Sequence, residues 1–352
     1  MNIPVHRLKH ALELVEPAVA KKKVALPITA NVLFQDGHLT ATNLELYIVA
    51  DLWEVQGDAF TLPYWALTDI LKHISDTAVA VVDRSGTKVT IGFTDGQVNL
   101  VGMDAADFPP LPTIDDTELE LVDGDRLVKA LAASAPYAAA KDVFIGVSRP
   151  VLTGVRIGLG EPIELAAADG FQLVWQEVPL KLHGNSGMKE AIVPGNTVAA
   201  LGKVWNKAIK YPRSGSGFPK LGQPPSLESA AQAIAKRMME VRVKEGWASF
   251  RCGEVTLYSQ LLSGAFPNYR GLIPEGGPLK VAFDAEAASR AVRMLAPMAA
   301  QGSGIIRMEW EGQTMKLSAM AEEQGDVAVS IPITSHGGPG HIAFNYRYLT
   351  AY

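Results

Sequence analysis

Cysteine is almost missing from this chain: Cys252 is the only one in 352 residues. No disulfide framework can form within it, which suits a reducing cytosol. A run of 18 apolar residues is also missing, so no membrane-spanning helix is expected. The N-terminus has Glu13 and Glu16 inside its apolar stretch and no small-residue cleavage site, which makes it a poor signal peptide. No zinc-finger spacing, basic zipper or aromatic-rich RNA-recognition motif is present. No Ser/His/Asp or Cys/His constellation can be assembled from the order of residues. His6 and His10 have helical i, i+4 spacing, but Arg7 stands where a zincin needs Glu, and cations crowd the pair. Gly195 to Val204 has its glycines too far apart for a phosphate loop, and Val204 replaces the Ser or Thr that would touch magnesium. Asp169-Gly170 reads as a turn rather than a catalytic carboxylate.

What is present is a repeat. "ALELVEPAVA" (11–20), "ALAASAPYAA" (130–139) and "AVRMLAPMAA" (291–300) share Ala, then Leu or Val, then Pro six residues after the first Ala. Each has helical apolar spacing, and the proline is expected to end or kink the helix. Each is followed by alternating strands with turn signals such as Asp36-Gly37 and Glu311-Gly312, and then by a second short helix. The first two repeats continue into more strands and close on "FPPLP" and "FPNYRGLIP". The expected architecture is α+β, built from three repeated domains: 1–116, 117–274 and 275–352.

Leu8 to Phe108 spans 100 residues, whereas Leu127 to Phe266 spans 139. The excess falls near 207–237, where 10 of the 16 residues from Tyr211 to Ser226 are Pro, Gly or Ser. That stretch reads as an inserted loop followed by a short helix from Leu227, capped by Ser226. In the third repeat, Asn345 should cap the second helix, and only 7 residues follow it. The corresponding stretch of the first repeat, Pro63 to Phe108, is 45 residues long. By that ruler the third repeat is incomplete by about 40 residues.

Charge is segregated by element. The chain carries −5 overall, yet six short helices expected at 6–15, 64–74, 125–134, 197–210, 285–296 and 345–352 sum to +7. The remainder must therefore sum to −12. Any one such helix is ordinary, because Lys and Arg are good helix formers on a solvated face. Six together suggest a common polyanion, met through phosphate contacts that do not read sequence. Lys72, Lys129, Lys203, Lys207 and Arg290 are the helical candidates, and Lys21, Lys22 and Lys23 form a basic loop after the first helix.

"LPITANVLF" with "LTATNLEL", "RPVLTGVRI" with "LAAADGFQL" and "IVPGNTVAAL", "LLSGAFPNYRGLIP", and "IAFNYRYL" together give the chain a resemblance. It resembles the bacterial DNA polymerase III beta subunit family, the sliding clamps, over nearly its whole length outside the 207–237 insertion. The resemblance implies a homodimeric, cytoplasmic ring of DNA-clamp domains that encircles duplex DNA without regard to sequence. It implies a non-catalytic role without cofactor or metal. The implied partners are the polymerase alpha subunit, the clamp loader and other proteins with clamp-binding motifs, and no membrane. DNA contacts are implied for Lys23 and its neighbours, for the loop Lys141 to Arg149, and for Lys203 and Lys207.

A partner-peptide pocket is implied for Leu152, Asp169, Gly170, Phe171, Gln172, Leu173, Pro267, Leu272, Asn345 and Tyr348. Phe171-Gln172 stand where the family often has His-Arg, so the peptide preference here is expected to differ. Asn43 replaces a usual Asp, and Gly271 a common basic residue. Ring closure is implied to set Phe108 of one protomer against Met294 and Leu295 of the other. With the third domain incomplete, the pocket is expected to bind family peptides weakly or not at all. Two other readings stay open: a β-rich peptide-binding scaffold that never encircles DNA, and an enzyme with a site near Asp169.

Overall fold

The structure, a computed structural model, describes residues 1–21, 26–94, 96–114, 119–180, 190–210, 237–244, 246–274 and 276–350. The insertion and its expected helix from Leu227 lie almost wholly outside these residues.

The repeat is visible as a recurring order of elements. The first round is β1 (Asn2–Pro4), α1 (Val5–Val15), β2 (Asn31–Gln35), β3 (His38–Thr42), β4 (Leu46–Asp51), β5 (Phe60–Pro63), α2 (Tyr64–Leu71), β6 (Val79–Ser85), β7 (Lys88–Phe93) and β8 (Gly96–Val101). The second is β9 (Leu119–Asp123), α3 (Gly124–Ser134), an added short α4 (Phe144–Ser148), β10 (Gly154–Gly158), β11 (Ile163–Ala168), β12 (Leu173–Val178), β13 (Glu190–Pro194), α5 (Gly195–Lys210), β14 (Met238–Lys244), β15 (Trp247–Cys252) and β16 (Val255–Gln260). The third is β17 (Lys280–Phe283), α6 (Ala285–Gln301), β18 (Ile305–Glu311), β19 (Thr314–Ala321), β20 (Gly325–His336), β21 (Gly340–Asn345) and α7 (Tyr346–Thr350).

All the strand pairs are antiparallel, and the sheet orders repeat as well. β5-β2-β3-β4 has its counterpart in β13-β10-β11-β12, and β1-β6-β7-β8 has its counterpart in β9-β14-β15-β16. The first of these joins the last edge to edge, β4 against β16, into one eight-stranded sheet. The third repeat departs from the pattern: β17 pairs with β20, in a five-stranded sheet β17-β20-β19-β18-β21.

The chain divides into two compact units, Met1–Phe266 and Pro267–Tyr352. The first has one continuous core, in which Leu8, Leu12, Phe34, Ile48, Leu131, Trp205, Phe250 and Leu257 are buried. The alternation of β16, with Val255, Leu257 and Ser259 inward, lets it share that core with β4. In the second unit, Ala291, Val292, Leu295 and Ala299 of α6 pack on Ile306, Met308, Leu317 and Ile331 of the sheet.

Proline ends two of the three first helices as expected: Pro17 and Pro136 sit in single 3-10 turns directly after α1 and α3. The third differs, because α6 runs through Pro297 to Gln301. Pro297 cannot donate a backbone hydrogen bond, but Leu295 and Ala299 on either side of it are completely buried, and that burial holds the helix together. It stops instead at Gly302, where a Cβ would lie 2.0 Å from the Met320 carbonyl oxygen. The second helix of the first repeat ends at Leu71, three residues before the expected 74.

Candidate nucleic-acid interface and partner site

In the first unit four helices are tied into a row by side chains. The Tyr64 hydroxyl of α2 donates to the Leu12 carbonyl of α1 (3.2 Å). Lys207 Nζ of α5 donates to the Glu13 carbonyl of α1 (2.9 Å) and lies 3.7 Å from Glu16. Trp205 Nε1 of α5 donates to Asp125 Oδ1 of α3 (2.8 Å). The Trp205 ring fills the place a side chain at position 124 would occupy, so only glycine fits there.

The basic residues of these helices have unequal surroundings. Lys129 and Lys203 are exposed, with no ion pair among the described residues. Lys21 and Arg149 are exposed as well. Lys72 pairs with Asp69 (2.7 Å), Lys141 with Glu45 (3.0 Å) and Arg290, in the second unit, with Glu286 (3.4 Å). Such exposed pairs are weak and yield to a competing phosphate. Lys207 is half-buried and works as a link between helices. Two further helical cations are committed elsewhere: Lys9 to Asp76 (2.6 Å), and Arg7 to Glu54 (3.1 Å) with its guanidinium 3.6 Å from the Trp53 ring centroid. Lys22 and Lys23 lie outside the described residues. Acids in loops thus neutralise part of the excess positive charge that the helices carry in sequence. His10, half-buried in α1, is pushed down to about 4 by burial and by the neighbouring charges of Lys207 and Arg7, so it is neutral near pH 7.

Asp169 organises a tight turn before β12. Its Oδ1 accepts from the backbone N–H of Phe171 and of Gln172, both at 2.9 Å, and its Oδ2 accepts from Gln172 Nε2 at 3.0 Å. Gly170 takes φ +91°, and its missing side chain leaves room for Ile145 of α4. Phe171 is thereby held out in solvent, 75% exposed. Leu152 is buried and Leu173 half-buried.

The same turn occurs in the first repeat. Asn43 Oδ1 accepts from the N–H of Glu45 (3.1 Å) and of Leu46 (2.9 Å), with Leu44 at φ +78°. Asn43 therefore does there what Asp169 does in the second repeat. Two such turns, each opening a strand, explain Asp169 as a structural residue.

The other four residues of the expected pocket belong to the second unit. Pro267 and Tyr348 are half-buried, and Leu272 is exposed. Asn345 Oδ1 accepts from the Arg347 N–H (3.0 Å), so it caps α7 as its position suggests. Of the three ring-closure residues, Met294 is 62% exposed, whereas Leu295 lies wholly in the core of its unit and Phe108 is buried. Their apolar character had no way to distinguish core from surface; helical phase assigns Met294 outward and Leu295 inward.

Sequence reasoning missed α4 as an exposed apolar helix. Its only signal was Val143, Phe144 and Val147 between Lys141 and Arg149, a stretch that reads equally well as a buried strand.

No family model matches the chain. It is similar to the beta sliding clamp of Synechocystis sp., 28% identical over 365 aligned positions that cover 97% of this chain and 86% of that protein. It is similar to that of Synechococcus elongatus at 27%, covering 98% and 86%. Among solved structures, the DNA polymerase III beta subunit of Thermotoga maritima superposes with a TM-score of 0.79 at 22% identity, covering 99% of this chain and 88% of that one. The Bacillus subtilis sliding clamp gives 0.81 at 18% identity, with the same coverage. The fold thus agrees with that of these beta subunits over nearly the whole chain, and over the same length the sequence is similar to bacterial beta sliding clamps.

Proposed function

We propose that this chain is a processivity factor, a DNA sliding clamp that holds a polymerase on its template by topology and catalyses nothing itself. The observation that carries this reading is the row α2-α1-α5-α3, held together by interhelix bonds and presenting Lys129 and Lys203 to solvent. A surface of this kind suits a duplex met only through its phosphates, because nothing on it is arranged to read base edges. Lys21, Lys22, Lys23, Lys72, Lys129, Lys141, Arg149, Lys203 and Arg290 are the proposed DNA contacts. Lys207 supports the surface more than it touches DNA.

The finer assignments belong to the same proposal. Three clamp domains divide near 116 and 274, supported by the recurring order of elements. The protein acts in the cytoplasm as a homodimeric ring closed through the face that carries Met294. Its partners include the polymerase alpha subunit, a clamp loader and proteins with short clamp-binding motifs, received near Phe171, Gln172 and Leu173. Phe171 and Gln172 offer an aromatic face and an amide already engaged by Asp169, a surface suited to apolar rather than acidic peptide side chains. Among the described residues, no helix is long and apolar enough to cross a membrane.

The decisive experiment loads the protein onto nicked circular DNA with a clamp loader and then linearises the circle. A clamp stays on the circle and runs off the linear form. Equal retention on both forms would leave a groove-binding scaffold as the better reading.

A further inference from the structure

The short helix α4 is wedged into the second-repeat side of the proposed partner pocket, in a stretch that is longer than its counterpart in the first repeat. The backbone bond that closes this corner recurs. The Ala20 N–H donates to the Thr29 carbonyl (3.1 Å) as the Ala139 N–H donates to the Leu152 carbonyl (2.8 Å). Each corner ends in a 3-10 turn, Pro27–Ala30 in the first repeat and Pro150–Thr153 in the second. Six residues separate Ala20 from Pro27, whereas ten separate Ala139 from Pro150. The longer stretch contains α4.

The notch that α4 enters is also particular to the second repeat. Gly170 and Leu44 hold the same place in the two Asx turns, at φ +91° and +78°. Leu44 carries its own side chain there. At Gly170 the space is left open and Ile145 occupies it, with Cδ1 2.8 Å from where a Cβ at 170 would stand. Ile145 is half-buried, while every other side chain from Lys141 to Pro150 is exposed and Gly146 is buried. A Cβ at Gly146 would meet the Ala140 carbonyl oxygen at 2.0 Å and Thr153 Cγ2 at 3.1 Å, so glycine lets the helix lie directly against the 3-10 turn. α4 therefore spans the gap between the turn that carries Leu152 and the turn that carries Gly170 to Leu173. Those two turns are the second-repeat walls of the proposed pocket.

The hold on α4 is weak. Five residues are too few for a stable helix alone, and its N-cap, Val143, offers no side-chain bond. The Lys141–Glu45 pair (3.0 Å) that ties down its leading end is exposed on both sides.

We propose that Ile145 is a built-in plug of the partner site, an aliphatic side chain that a partner's aliphatic anchor displaces, moving α4 with it. The inference rests on the reading of Gly170–Leu173 as that site. The plug sets a threshold: a partner binds only the fraction of molecules in which α4 is displaced, and its apparent affinity is reduced by that fraction. An anchor that fills the Gly170 notch as well as Ile145 does recovers the lost packing. A small or charged anchor does not, so the plug sharpens the choice of partner.

The test measures binding of the polymerase alpha subunit from the same organism, by surface plasmon resonance, to the full chain and two variants. Ile145→Ala removes the plug side chain and keeps α4. Deletion of residues 144–147 gives the second repeat the spacing of the first. Ile145→Ala should tighten binding about three- to tenfold, and the deletion at least as much. Hydrogen exchange gives a second readout. The Arg149 N–H donates to the Ile145 carbonyl (2.8 Å) in the plugged state, so its exchange should speed up when the partner binds. The Phe171 N–H, held by Asp169, should stay protected.

Unchanged or weaker binding of Ile145→Ala would overturn the plug, leave Ile145 as packing alone, and leave the partner reading standing. Slower exchange of the Arg149 amide on binding would overturn it as well. Should circular dichroism show the deletion unfolded, Ile145→Ala decides by itself. Absence of binding by all three forms would overturn the partner reading and the plug together.

Discussion

At the scale of single residues, the clearest feature is the twin Asx turn. Asp169→Ala removes three hydrogen bonds and should lower stability by about 1–3 kcal/mol in urea unfolding. Asp169→Asn should cost little, because Asn43 already performs the same turn in the first repeat. An enzyme using Asp169 would show the reverse sensitivity, with Asn abolishing turnover. His10 gives a pH signature. Its folded value, about 4, lies below the ordinary 6.5, so between those two values the unfolded chain binds the extra proton. Stability should therefore fall as pH drops from 6.5 toward 4. Urea midpoints at pH 7.5 and pH 5 should differ more for the wild type than for His10→Gln. Asp169 was legible in sequence as a turn residue, since Asp before Gly is a strong local signal. The role of His10 was not, because its neighbour Lys207 is 197 positions away and only packing brings them together.

The six helices read in sequence all exist, at the scale of elements, within a few residues of their expected bounds. Their charge excess does not survive intact, since Lys9, Arg7 and Lys207 turn to acids and carbonyls of other segments. This separates two kinds of lysine by experiment. Lys129→Glu with Lys203→Glu should weaken duplex binding and lower the salt slope by about two units, with little change in unfolding. Lys207→Ala should leave the salt slope nearly unchanged and lower the urea midpoint, because it removes a bond between α5 and α1. The proline rule failed once, at Pro297. A local rule weighs one lost hydrogen bond, and it cannot see that Leu295 and Ala299 are buried on both sides.

At the scale of the whole molecule, the first two repeats share one core and one eight-stranded sheet, while the third has a core of its own. Calorimetry should accordingly show two transitions. The smaller belongs to residues 267–352 and should respond to Leu295→Ala, a core truncation costing about 2–5 kcal/mol, while the larger stays in place. A single sharp transition unaffected in shape by that change would mean that the two cores unfold as one.

The sequence by itself determined the recurring order of elements, the kinds of element in each round and the turn that opens β12. These depend on local spacing of apolar, turn and capping residues, which recurs along the chain and can be counted. Only the tertiary structure decided which cations carry no ion pair among the described residues, that Leu295 faces inward beside an outward Met294, that β17 joins β20, and that β4 is covered by β16. Those outcomes depend on contacts between residues scores of positions apart. Hydrogen-bonding capacity at a strand edge is carried by the backbone, which is the same at every residue, so no letter in the sequence marks which edge will find a partner.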